Sequence, residues 1–349
     1  MGIMNRWIIL LLSTWLLFQL GSVKAFGEES VIEIRRNLVF SHGATKRGNI
    51  QLDLDLYQQL NPHRVPTPIV IYLHGGGFQG GDKFGDYGGA SIKLLLEFVE
   101  LGFTAISINY RLVKHQPIIP DEFLALSMNL QNELLRRYCK SCGCRSGSSS
   151  KLVNRLFAKK NSVACRQGAR EFSDGPTPIS IEEYQQGVLT GEFSNAIAAA
   201  VEDGIAAINW AKRNEKLYNI DSGQIVLMGS SAGAIAANLM AYVADDLVPN
   251  YDLKLRGVVS ISGEILGGEK FIDKDDPPIF LVHSAKDPYV SVESADLMKS
   301  QMSVLGLYSP YARLEGTGHS LASISFYKTK WQGRFIAQEL MEFVLRATQ

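Results

Sequence analysis

The sequence lacks any excess of charge of one sign. Lys plus Arg and Asp plus Glu both number 35 in 349 residues, for a formal net charge of zero. A nucleic-acid-binding chain shows a basic surplus, so that class is excluded, and local pairs such as Arg136-Arg137 and Lys159-Lys160 read as solvated faces. No phosphate loop, no metal-ligating histidine pair and no dinucleotide fingerprint occurs, so neither a cofactor nor a metal is expected. Gly85-Asp86-Tyr87-Gly88-Gly89 is glycine-rich but does not open directly from a strand, and is given no nucleotide role. There is no internal repeat and no Asn-x-Ser/Thr acceptor site, so nothing favours a glycosylating secretory route over a periplasm.

Only one apolar run is long, Ile8 to Leu20, and it sits behind the positive Arg6. Gly21-Ser22 ends it and Val23-Lys24-Ala25 fits a signal-peptidase site. The run is short for a spanning helix and acidic Glu28-Glu29 follows. Residues 1–25 are therefore expected to be a cleaved signal peptide, with an uncleaved anchor as the alternative, and the mature protein is expected to be secreted or periplasmic with no membrane span. Cysteine is scarce. Cys139, Cys142, Cys144 and Cys165 all lie within one short stretch. Export makes two disulfides the expectation, with three connectivities open; the Cys139-x-x-Cys142 spacing leaves a four-thiolate zinc site as the alternative.

What is present is a core-forming chain, 46% hydrophobic and 20% charged, ample for one large α/β domain over residues 26–349. Val31–Ile34 and Gln51–Tyr57 alternate apolar and polar residues, as on an outer antiparallel pair. From Ile69 the pattern changes to a continuous apolar run, 69–73, and further strands are read at 103–110, 225–228, 257–261, 278–283 and 311–314. Continuous runs imply strands buried on both faces. Helical periodicity falls between them at 90–101, 194–213, 232–244, 292–305 and 329–346, which predicts a doubly wound, mostly parallel sheet. Between Tyr110-Arg111-Leu112 and the helix near Ser194 lie about eighty residues where a short connection suffices. This stretch, about 113–193, predicts an inserted cap or lid with short amphipathic helices near 121–139 and 151–160; a surface insertion is the alternative.

Two glycine-framed motifs stand out: His74-Gly75-Gly76-Gly77-Phe78 after one apolar run, and Gly229-Ser230-Ser231-Ala232-Gly233 after another. An apolar strand, a glycine-flanked serine and an alanine-rich stretch describe a nucleophile elbow with Ser231 at its tip. A serine hydroxyl needs a base, and the base needs a carboxylate to fix its tautomer. In the order Ser, Asp, His, the chain supplies Asp287 and His319, each just beyond an apolar strand, where open α/β sheets place their sites. His283 precedes Asp287 and reads as a packed residue beside the site. Asp275 and Asp276 fall at the wrong end of their strand. Glu264 is read as either lining the pocket or solvated.

Together with Asn109-Tyr110-Arg111-Leu112, the Asp287 loop and Gly318-His319, these motifs resemble the α/β-hydrolase fold, and more narrowly the hormone-sensitive-lipase-like and feruloyl-esterase-like carboxylesterases. The resemblance covers roughly 45–112 and 194–345. It implies an ester-cleaving serine hydrolase working through an acyl-enzyme, with Ser231, Asp287 and His319 as the catalytic residues. It implies an oxyanion hole from the N–H groups of Gly76, Gly77 and Ala232, with His74 and Gly75 supporting the glycine loop. The substrate class is a small-molecule or polymer-borne ester. An amide or peptide hydrolase on the same fold and a non-catalytic binding protein of hydrolase ancestry are the alternatives. Relatives carry a proline-rich segment after the Tyr-Arg-Leu motif; here Val113-Lys114-His115 leads into the insertion, so their substrate preferences do not carry over.

Overall fold

Each continuous apolar run becomes a strand with a core on either side. In the computed structural model, which describes residues 8–9, 31–60, 65–85, 89–141, 181–251, 253–316, 318–319 and 324–349, the strands are β1 (Ile8–Ile9), β2 (Ile32–Thr45), β3 (Gly48–Gln59), β4 (Thr67–Leu73), β5 (Thr104–Ile108), β6 (Ile220–Ser230), β7 (Leu255–Ile261), β8 (Ile279–Ser284), β9 (Tyr311–Leu314), β10 (Lys330–Trp331) and β11 (Arg334–Phe335). The helices are α1 (Ala90–Glu100), α2 (Leu124–Ser141), α3 (Ile181–Thr190), α4 (Glu192–Arg213), α5 (Glu215–Tyr218), α6 (Ala232–Tyr242), α7 (Ala244–Leu247), α8 (Val292–Val304) and α9 (Ile336–Ala347).

The main sheet runs β1-β2-β3-β5-β4-β6-β7-β8-β9. The β2–β3 hairpin joins antiparallel at one side, and β5 through β9 pair in parallel. Successive side chains of a strand point to opposite faces. Ile69, Ile71, Leu73, Ile225 and Leu227 thus enter one core, covered by α4 and α6, while Val70, Tyr72, Val226 and Met228 enter the other, covered by α1 and α9. The doubly wound α/β expectation holds. All parallel strands end on one side of the sheet, and the loops that leave those ends carry the site.

Several boundaries differ from the sequence reading. The alternation at Val31–Ile34 is only the start of a 14-residue strand. The closing helix begins at Ile336, not Thr329, because Gln332 and Gly333 both take positive φ (51° and 86°) and reverse the chain into the β10–β11 hairpin. The helix expected at 121–139 is a 3-10 turn, Asp121–Phe123, followed by the 18-residue α2. It is not short, and it buries Leu126, Leu130, Leu135 and Tyr138. Gln131 Nε2 donates to Val188 O of α3 (2.7 Å), which joins two helices of the inserted segment, and Ser127 Oγ donates to Asn195 Oδ1 of α4 (2.7 Å), which ties that segment to the core.

Ile8 and Ile9 lie beside Glu33 and Ile32 at the sheet edge. The rest of the expected signal peptide, the helix expected at 151–160, and Cys142, Cys144 and Cys165 lie outside the described residues; Cys139 is buried in α2. Among the described residues, no helix is long and apolar enough to cross a membrane.

Candidate active site

The elbow is built by close backbone approach. Ser231 sits between β6 and α6 with φ 53° and ψ −120°, a conformation that L residues rarely adopt. Its N–H donates to Ile261 O of β7 (2.8 Å), which holds the tip over the sheet. Strain of this kind persists only where the surroundings fix it. Gly233 shows why the frame demands glycine: a Cβ there would stand 2.0 Å from Leu73 O and 2.6 Å from His74 O. The elbow and the end of β4 are therefore in backbone contact, and the His74 loop is pressed against the first turn of α6. Gly233→Ala is expected to force these backbones apart. The expected result is a loss of about 3 kcal/mol of stability, at the upper end for overpacking, seen as a lower denaturant midpoint, together with loss of turnover.

Three side chains from different loops meet at this tip. Asp287 follows β8, His319 follows β9, and both loops are stitched together by Ala285 N–H to Leu314 O (2.7 Å) and Lys286 N–H to Gly316 O (2.8 Å). His319 Nδ1 lies 2.9 and 2.8 Å from the two Asp287 oxygens, and Nε2 lies 2.8 Å from Ser231 Oγ. An ionised carboxylate only accepts, so Nδ1 carries the proton, and Nε2 is left to accept from the Ser231 hydroxyl. Burial opposes ionisation of Asp287. Hydrogen bonds from His283 and His319, the charge of His319 and the Tyr289 N–H outweigh it and hold the carboxyl well below the usual range. Asp287 is thus the anion that this tautomer needs.

His283 is fully buried, with Nε2 2.9 Å from Val290 O and 3.4 Å from Asp287 Oδ2. Both neighbours are acceptors, so Nε2 bears the hydrogen. The residue read as packing also holds the Asp287 turn.

The glycine loop approaches from β4. Gly76 has φ 120° and Gly77 φ 62°, and a Cβ on Gly76 would meet Gly80 O at 2.3 Å. The loop turns back on itself through Gln79 and Gly80 N–H bonds to Gly76 O (3.0 and 3.1 Å). His74 lies beneath it, and its Nδ1–H donates to Gly75 O (2.7 Å). Burial pushes the His74 pKa down to about 4, so the ring is neutral and its tautomer is set by that carbonyl. Tyr110 braces the same point: its ring stacks on His74 at 4.2 Å, and its hydroxyl donates to His74 O (2.6 Å). Ala232 opens α6, where the first-turn N–H groups have no partner within the helix and the dipole favours negative charge. Gly76 and Gly77 follow β4 and Ala232 follows the neighbouring parallel β6, so all three lie beyond strand ends at the Ser231 end of the sheet.

Glu264 is not solvated. It is 8% exposed, and its carboxylate accepts from Arg137 Nη1 of α2 (2.5 Å) and Ser294 Oγ of α8 (3.2 Å), an ion pair between the inserted segment and the core. Residues missed by sequence reasoning are Tyr110, whose signal was its place in the Asn-Tyr-Arg-Leu motif, and Tyr289, two positions after Asp287.

Residues 54–123 match the BD-FAE family, and residues 194–325 match the alpha/beta hydrolase fold family. No functionally curated protein matches the sequence. Among solved structures, the esterase Est2 of Thermogutta terrifontis with propionate bound aligns over 89% of this chain and 92% of its own, with a TM-score of 0.52 and 14% identity. The same organism's esterase 2 phosphorylated by paraoxon aligns over 88% and 90%, with a TM-score of 0.51 and 15% identity. An acetyl ester-xyloside bifunctional hydrolase from Caldicellulosiruptor lactoaceticus aligns over 85% and 88%, with a TM-score of 0.50 and 14% identity. At these identities the structural likeness is one of fold. The chain carries an alpha/beta hydrolase fold domain; the second family match lies within the later stretch of the sequence resemblance, while the first runs past its expected end at 112 to residue 123, and 124–193 lies between the two matches.

Proposed function

We propose that the protein is a carboxylic ester hydrolase that works through an acyl-enzyme on Ser231. The observation that carries this reading is the hydrogen-bonded chain Ser231 Oγ, His319 and Asp287, set beside the positive-φ Gly76-Gly77 loop. His319 Nε2 takes the hydroxyl proton as Ser231 Oγ attacks the ester carbonyl. The N–H groups of Gly76, Gly77 and Ala232 hold the oxyanion, and Asp287 stabilises the imidazolium. The proton passes to the departing alcohol oxygen as its bond to the acyl carbon breaks. Water, deprotonated by the same imidazole, then attacks the acyl carbon, and the imidazolium returns that proton to Ser231 Oγ as the bond to the acyl carbon breaks and the acid leaves. The alpha/beta hydrolase fold family match and the esterase neighbours support ester chemistry. The test is hydrolysis of p-nitrophenyl esters of rising acyl length by the protein beside Ser231→Ala. Activity that depends on Ser231 supports the reading, and equal activity in both proteins overturns it.

In this reading the segment 113–193 caps the acyl pocket, and residues 1–25 are an export signal cleaved after Ala25, which delivers the protein to an oxidising space where its four cysteines form two disulfides. Protein recovered from its native cells is expected to begin at Phe26 on N-terminal sequencing; an intact Met1 terminus contradicts export by cleavage.

A further inference from the structure

The hydrolysis proposed above gives the leaving alcohol a fixed address. The proton taken by His319 Nε2 returns to the alcohol oxygen, so that oxygen comes within hydrogen-bond reach of Nε2. The carbons of the alcohol then lie along the flank of the imidazole, away from the acyl chain. One aromatic side chain already stands on that imidazole. The Tyr289 ring centroid is 4.9 Å from that of His319, with the planes at 72°. His319 is 8% exposed and Tyr289 40%. The tyrosine stands against the base and keeps part of its surface open to solvent.

The ring is held there by the turn built around Asp287. Tyr289 N–H and Val290 N–H both donate to Asp287 Oδ1 (2.9 and 3.0 Å), and Val290 O accepts from His283 Nε2 (2.9 Å). The backbone serves the carboxylate, so the side chain is free for another use. An exposed aromatic ring beside a reacting centre offers a flat surface on which another ring can stack.

We propose that Tyr289 forms the leaving-group subsite and selects esters whose alcohol carries a ring that can lay a face on it, an aryl ring or a sugar ring, over esters of small alkyl alcohols. This rests on the ester-hydrolase reading. The experiment compares kcat/KM on phenyl acetate, a monoacetylated hexose and ethyl acetate for the full protein and for its Tyr289→Ala and Tyr289→Phe variants. All three substrates give the same acetyl-enzyme. Tyr289→Ala is expected to lose about tenfold on a ring ester and less than about twofold on ethyl acetate, with Tyr289→Phe close to the parent. The deacylation rate, read from p-nitrophenyl acetate bursts, is expected to stay unchanged, because the alcohol has already left. A loss on phenyl acetate alone identifies an aryl alcohol, and a loss on the sugar ester a glycosyl one.

An equal loss on ethyl acetate, or slowed deacylation, would mean that Tyr289 only props His319, and overturns the subsite. So does an undiminished rate on both ring esters. A parent protein inert towards all three acetates, with its serine unlabelled by a fluorophosphonate, instead removes the ester reading itself, and the subsite with it.

Discussion

Ser231→Ala is expected to lower kcat on p-nitrophenyl esters by about a million-fold while the protein melts as before. The substitution removes one oxygen and keeps the Cβ, so the steric demand of the φ 53° turn is unchanged. Ser231 N–H still donates to Ile261 O, and the Gly233 contact with Leu73 O is untouched. What is lost is the oxygen placed 2.8 Å from His319 Nε2, the atom proposed to form the acyl bond. The residue left behind is an oxyanion pocket and a base with nothing to activate but water, which accounts for the small activity that remains in such variants. The measurement is steady-state hydrolysis beside a thermal melt. A loss of tenfold or less points to another nucleophile.

Asp287→Asn is expected to cost about four orders of magnitude in kcat. The carboxylate accepts from Tyr289 N–H, Val290 N–H and His319 Nδ1–H, with His283 Nε2 3.4 Å away. In the amide, the oxygen stays with the two backbone N–H groups that fix the turn, so the NH2 faces the two imidazoles. It donates to His319 Nδ1, which moves the ring hydrogen to Nε2, and the Ser231 hydroxyl then meets a donor. It also opposes the His283 N–H. The fold changes little, because the turn keeps its backbone bonds, while the base is held in the wrong tautomer. Hydrolysis at neutral pH with an unchanged circular dichroism spectrum checks this. Activity within tenfold of the parent contradicts it.

Much of this site was legible in the chain because its parts are local. Glycines at 229 and 233 declare a tight crossing, and Asp287 and His319 each follow a short apolar run, so their place beyond the strand ends follows from the parallel order alone. The fold class was legible for the same reason: runs such as Ile69–Leu73 without alternation require cover on both faces. The rest depended on partners far away in sequence. Glu264 finds Arg137 127 residues back, and nothing near either residue announces the pair. The closing helix was read seven residues early because its amphipathic rhythm blurs into a hairpin whose turn is set by positive φ at Gln332 and Gly333. His283 looked like core, and it is core; its second task, holding Asp287, is visible only when the turn 287–290 is seen to fold back over it.

The most direct test of the account is to trap its covalent intermediate. The full protein is mixed with p-nitrophenyl butyrate, quenched in acid within the first turnovers, and digested for mass spectrometry. The account predicts one butyryl group on the peptide that contains Ser231, formed together with a burst of p-nitrophenol and absent from Ser231→Ala. Turnover without that adduct, or an adduct carried by another residue, would contradict it.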